Sequence, residues 1–124
     1  MTTAIIVLAI SLAVVIILRQ AKRRPGFYTK VVGISHHQTS ARSCSVGERV
    51  QLIREPRNAQ DANAIKVCRH NGRPLGYLKP HLAAELVPDI DSGARFEATV
   101  SDITGGTKGK PTVGINLHIN RIRP

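Results

Sequence analysis

The sequence predicts a mainly β fold: a small, strongly bent barrel or half-open sheet with one short helix, preceded by a single transmembrane helix. Three observations carry this prediction. The first eighteen residues hold no charge. Behind them, five or six short stretches alternate apolar and polar residues at the period of two that sends successive side chains to opposite faces of a sheet. One later stretch, opened by Pro80, repeats apolar residues at helical spacing. Closure into a barrel hides sheet edges that so short a chain cannot otherwise cover.

From Ala4 to Leu18 the apolar run is interrupted only by Ser11. At 1.5 Å per residue, Met1 to Leu18 makes a helix of about 27 Å, at the short end of what spans a hydrocarbon core. A cleaved signal peptide carries its charge before the apolar run and small residues after it. Here the leading flank is Met-Thr-Thr, and the run ends in Arg19-Gln-Ala-Lys-Arg-Arg24. A buried helix needs more surrounding apolar mass than the remaining chain has. The expectation is therefore a transmembrane helix over 1–18, a basic juxtamembrane linker over 19–28 and a domain over 29–124. Arg19, Lys22, Arg23, Arg24 and Lys30 set the orientation, with the N-terminus outside and the domain on the cytoplasmic face of an inner or plasma membrane. Phe27 and Tyr28 fit the lipid interface, and the basic collar fits anionic headgroups.

Thr29 to Ser35, with Val31, Val32 and Ile34, reads as the first strand. His36 to Gly47 is polar and Ser-rich, a loop with one short turn of helix around Thr39 to Cys44. In Glu48 to Arg54, Val50 and Leu52 share one face of a second strand, and Gln51 and Ile53 the other. Glu55 to Asn63 is a turn-rich connection whose Pro and Asx residues favour local backbone caps over a ladder. Ala64 to Arg69 and Pro74 to Leu78 form a hairpin around His70-Asn71-Gly72, and Gly76 marks a bulge or a close backbone approach. Pro80 opens the helix, Leu82, Ala83, Leu86, Val87 and Ile90 line its apolar face, and Pro88 ends or kinks it. Ala94 to Ile103 and Pro111 to Ile122 complete the sheet, joined by a basic loop over Gly105 to Lys110. That loop lacks the glycine spacing, the following Ser or Thr, and the strand-loop-helix setting of a nucleotide-binding loop.

The chain carries a formal charge of +10, and from Val31 onward thirteen Lys or Arg face eight Asp or Glu. Such a bias favours polyanionic partners without specifying a site. Cys44 and Cys68 are too few for a disulfide framework or a zinc site, and Cys68 reads as a core thiol. No nucleophile-base pair or paired carboxylates emerge, so no catalytic residue, cofactor or metal is expected. Three groups are candidates for binding. His36 and His37 sit side by side in a polar loop. In the turn, Asn58, Gln60 and Asp61 either cap their own backbone or project toward a ligand, with Arg54 and Arg57 supplying positive potential. Tyr77 is either a rim aromatic or a stacking surface, with Lys79 near phosphate.

Val31-Val-Gly-Ile34, Gly47-Glu48, Val50 to Arg54, Glu55-Pro56, Asn58, Asp61, Asn63-Ala-Ile-Lys-Val67, Gly72, Leu75-Gly-Tyr-Leu78, Leu82-Ala83, Leu86 and Gly93 together resemble a HIRAN domain. That module lies at the front of some helicase-like DNA translocases and stands alone in bacterial proteins; with its anchor, this chain is similar to the stand-alone type. The resemblance implies an OB-like or SH3-like β-barrel that captures the 3′ end of single-stranded DNA. It places the acid that contacts the terminal hydroxyl on Asp61, with Asn58 beside it. An Arg-Tyr-Tyr run of the family falls on Ser35, His36 and His37, a Tyr on Gln60, and a His and a Lys on Tyr77 and Pro80. Tyr77, His36 or Lys79 then stand in for the missing contacts.

The expected function is a membrane-tethered, non-enzymatic module that binds single-stranded DNA or another nucleic acid, with the lipid bilayer as a second partner. The competing expectation is an adaptor for an unidentified protein partner at the membrane face. Charge reversal at Arg54 and Arg57 separates the two.

Overall fold

The computed structural model describes residues 26–122. Six strands form one antiparallel sheet in the order β1-β6-β5-β2-β3-β4, with β1 Phe27–Lys30, β2 Arg49–Arg54, β3 Ile65–Arg69, β4 Pro74–Tyr77, β5 Arg95–Thr104 and β6 Gly114–Ile122. A 3-10 turn over Ile34–His37 runs into α1, Gln38–Arg42, and α2 spans Pro80–Asp91. The architecture is a curled half-barrel with two short helices, which corrects the expected OB-like or SH3-like barrel with one short helix. The two edges, β1 and β4, meet only through an isolated bridge between Val32 and Tyr77. Closure fails because the chain leaves its extended path after Val32, where Gly33 takes φ 74 and starts the 3-10 turn instead of extending the strand to Ser35.

The period-two pattern decides which face of each strand meets the core. Val50 on β2, Ile65 and Val67 on β3, Leu75 on β4, Ala98 and Val100 on β5, and Ile115, Leu117 and Ile119 on β6 are buried together. Helix α2 adds Ala83, Leu86 and Val87 to this core. Pro80 occupies its first turn, where a missing N–H removes no bond. Pro88 does not end the helix, which runs on to Asp91. Gly93, at φ 100, follows, and the N–H groups of Ser92, Gly93 and Ala94 close onto Pro88, Ile90 and Asp89 carbonyls. Cys68 is 3 % exposed, as expected of a core thiol.

Gly76 is the close approach anticipated from the sequence. A Cβ there would lie 2.2 Å from the Val32 carbonyl oxygen, and the residue sits at φ 151. Only glycine lets β4 reach Val32, whose N–H and carbonyl pair with Tyr77 at 2.9 Å each. The seam that results sits directly beside the β2–β3 loop and the start of α2.

The transmembrane helix expected over 1–18 and most of the linker expected over 19–28 lie outside the described residues. Phe27 and Tyr28, assigned to that linker, belong to β1. Within the described residues no helix is long and apolar enough to cross a membrane. The longest, α2, has twelve residues and rises about 18 Å, against a hydrocarbon core of about 30 Å. Among the described residues the single-pass topology, the bilayer as partner and the membrane location therefore find no support: these residues form a half-barrel domain.

Candidate nucleic-acid interface

The β2–β3 loop holds the densest run of polar side chains, and the structure shows why it keeps one shape. Its ends close through the Glu55 N–H and the Ala64 carbonyl at 3.0 Å. Inside, Asn58 Oδ1 accepts the N–H groups of Gln60 and Asp61 at 2.9 and 3.2 Å, and Asp61 Oδ1 accepts that of Asn63 at 2.9 Å. These are successive Asx caps, the backbone-bracing role open to short polar side chains. The second Asp61 oxygen makes no hydrogen bond among the described residues, and the residue is half-buried.

Glu55 ties this loop to β4. Its Oε1 accepts the Tyr77 hydroxyl at 2.7 Å and the Asn58 side-chain amide at 3.1 Å. The Tyr77 and Asn58 donors hold the Glu55 carboxyl below its ordinary range, outweighing its partial burial. The same bond raises the Tyr77 phenol, so the ring stays neutral and fixed. Sequence reasoning passed over Glu55; the Glu-Pro-x-Asn spacing at a strand end was the signal that could have found it.

Loop, seam and helix start enclose a pocket of about 140 Å³, lined by Val32, Asn58, Gln60, Asp61, Tyr77 and Pro80 among others. A shallower depression on the other side of Asn58 and Tyr77 includes Arg57 and Glu55. The structure thus brings Asn58, Gln60, Asp61, Tyr77 and, through its neighbour, Pro80 together. Lys79 lies between Leu78 and Pro80 at the α2 N-terminus, where no side chain caps the free N–H groups. Arg57 and Lys79 are both exposed and form no ion pair among the described residues.

Arg54 is placed otherwise. Its guanidinium donates to the Ala62 carbonyl, and its Nε lies 3.3 Å from Asp91 Oδ1. It clamps the loop against the end of α2 and lines neither depression. His36 and His37 ride on the 3-10 turn, the first exposed and the second half-buried, and neither lines the pocket. The neighbouring Gln38 fastens that turn: its amide exchanges bonds of 2.9 and 3.0 Å with the Val113 backbone.

A larger groove of about 310 Å³ lies between α2 and the sheet, lined by Phe27, Leu86, Phe96, Ile119, Glu85 and Asp89 among others. Its floor is apolar, and on its rim Arg121 is paired with Asp89 beside Glu85, which leaves little positive charge for a phosphate chain. Elsewhere, Glu48 and Arg69 form a shielded ion pair at 2.6 Å, each side chain 12 % exposed. Burial opposes the Glu48 charge, but the Arg69 guanidinium prevails and keeps the carboxyl below its usual range. Burial, aided by Glu48, pushes the nearby Cys44 thiol up to about 12. This cluster is bracing, with an unreactive thiol.

Against known proteins, the HIRAN domain family matches residues 26–119. Helicase-like transcription factor of Oryctolagus cuniculus is 50% identical over 54 residues, which is 43% of this chain and 5% of that protein. The crystal structure of the HIRAN domain of human HLTF is similar at a TM-score of 0.65 and 30% identity, covering 80% of this chain and 76% of the other. The NMR structure of the HLTF HIRAN domain in its DNA-bound conformation aligns at a TM-score of 0.55 and 30% identity, over 80% and 75% of the two chains. This chain spans about a twentieth of the curated relative it matches. The expected stand-alone, bacterial-type member with a membrane anchor is corrected by these findings: the similarity is to a domain carried within a far longer mammalian protein. Because the family match starts at the first described residue and reaches into β6, it takes in both helices and all six strands, and the chain belongs to the HIRAN domain family.

Proposed function

We propose that this domain binds single-stranded DNA, taking the end of the strand into the pocket formed by the β2–β3 loop, Tyr77 and the start of α2. HIRAN domains are non-catalytic modules, so binding is the whole of the chemistry. The observation that carries the reading is Asp61. One of its oxygens is committed to the turn, the other makes no hydrogen bond among the described residues, and the residue lines a pocket about the size of a sugar. A carboxylate held this way accepts a hydrogen bond from a terminal hydroxyl without having to reorganise.

The setting supports the same reading. Tyr77 has its hydroxyl locked on Glu55, so its ring forms a stiff wall of the pocket. Arg57 and Lys79 supply positive charge on either flank, and the uncapped N-terminus of α2 offers N–H groups to a phosphate. A solved relative, the HLTF HIRAN domain, is described in a DNA-bound conformation.

The test is an anisotropy titration of the full chain with a labelled hexathymidylate, wild type against Asp61→Asn. Asparagine keeps the acceptor for the Asn63 N–H but puts an NH2 donor where the uncommitted oxygen stood, and that group cannot accept from a hydroxyl. A hydrogen bond to a charged group contributes about 1.5 kcal/mol or more, so affinity falls about tenfold. Unchanged affinity in Asp61→Asn refutes end reading at this residue.

A further inference from the structure

The described residues contain four aromatic side chains, and three of them, Phe27, Tyr77 and Phe96, are half-buried. Tyr28 is 71% exposed. It lies on the outer face of β1 and packs against His118 of β6 with ring centroids 4.7 Å apart and planes tilted by 52°. The two residues are directly opposite in the β1–β6 register, and Thr99 of β5 and then Arg49 of β2 continue the same row. Around the pair the surface is polar: Asn116, Asn120 and Lys30, with Glu97 paired to Arg49 and Asp102 farther along β5. An apolar protein partner has little to grip here, whereas a nucleobase needs one flat π face with polar surroundings.

The position of the pair connects it to the pocket. Along the extended segment, Tyr28, Lys30 and Val32 alternate outward while Val31 turns into the core at 1% exposure. Val32 lines the pocket that contains Asp61. Four residues of strand carry the chain about 13 Å, a distance that two unstacked nucleotides cover. Lys30, exposed midway, stands where the intervening phosphate passes.

We infer that a strand whose end occupies the pocket runs outward along β1, with a phosphate at Lys30 and a base stacked on the Tyr28–His118 pair. This rests on the proposed function and gives it a path and a minimum length. The ligand is then an end together with at least three nucleotides, and the stacking contact is tolerant of sequence because every base offers a π face.

The experiment compares di-, tetra- and hexathymidylates bearing free 3′ hydroxyls, titrated against the full chain and its Tyr28→Ala, Tyr28→Phe and Lys30→Gln variants. Wild type gains about tenfold in affinity from the dimer to the tetramer. Tyr28→Ala loses that gain and binds the dimer as wild type does, while Tyr28→Phe keeps it. Lys30→Gln lowers the salt dependence of tetramer binding by slightly less than one unit. A tetramer gain that survives in Tyr28→Ala overturns the path. Equal dimer and tetramer affinities in wild type also overturn it and leave the pocket reading standing. No binding by wild type at any length overturns both.

Discussion

Tyr77→Phe removes one oxygen and tests the network that shapes the pocket. In the folded protein the Tyr77 hydroxyl donates to Glu55 at 2.7 Å, leaving Asn58 as the other donor to that oxygen. A hydrogen bond to a charged group contributes about 1.5 to 3 kcal/mol, and the half-exposure of Glu55 discounts this to about 1 to 1.5 kcal/mol. For a domain of this size that is a fall in Tm of about 4 to 10 °C. The assay is urea unfolding at several pH values, with an unchanged m-value showing that stability alone has moved. The Glu55 carboxyl titrates lower in the folded state than in the unfolded state. Its contribution is therefore full above the unfolded value and is lost as pH falls through the folded one. Wild type and Tyr77→Phe should differ most at pH 7 and converge as pH falls below the ordinary carboxylate range. A difference that is absent at pH 7, or that persists unchanged at pH 2.5, refutes the reasoning.

Gly76→Ala places a methyl group 2.2 Å from the Val32 carbonyl at a φ of 151 that other residues rarely adopt, and should lower Tm by about 10 °C or more. Arg69→Met strands the shielded Glu48 carboxylate and destabilises by about 3 kcal/mol in urea unfolding; adding Glu48→Gln recovers part of the loss, because the penalty comes from the orphaned charge. Arg57→Ala and Lys79→Ala each reduce the salt dependence of strand binding by slightly less than one unit. Arg54→Ala instead lowers Tm, since its guanidinium holds the loop and α2 together.

The strand pattern was legible because burial on one face leaves a period of two that a reader can count: Val113, Ile115, Leu117 and Ile119, assigned to one face of the last strand, are all buried. The same pattern does not say whether two edges meet, so a barrel and a half-open sheet both fitted it. That outcome turns on Gly33, where a positive φ diverts the chain, and on Gly76, where one bridge is all the edges share. Pro88 was expected to end or kink the helix, and the helix runs past it to Asp91.

In the site, Asn58 and Asp61 were identifiable because Asx residues spaced three apart cap a turn locally. Arg54 was expected to supply positive potential, and its pairing with Asp91, 37 residues away, was not legible because charge alone does not disclose a partner. Glu55 escaped notice for the same reason, since Tyr77 joins it across 22 residues. The Tyr28–His118 pair needs the register of β1 against β6, which no local pattern supplies. The apolar run over 1–18 gave a strong local signal, but it lies outside the described residues and tells nothing about how the domain binds.

The claim that Asp61 reads a strand terminus is tested most directly by the ratio of affinities for one hexathymidylate ended by a 3′ hydroxyl and the same strand ended by a 3′ phosphate. In wild type the hydroxyl end should bind at least tenfold more tightly, because a phosphate brings charge against the uncommitted carboxylate oxygen. In Asp61→Asn the ratio should fall toward one. Equal affinities for both ends in wild type would contradict the account.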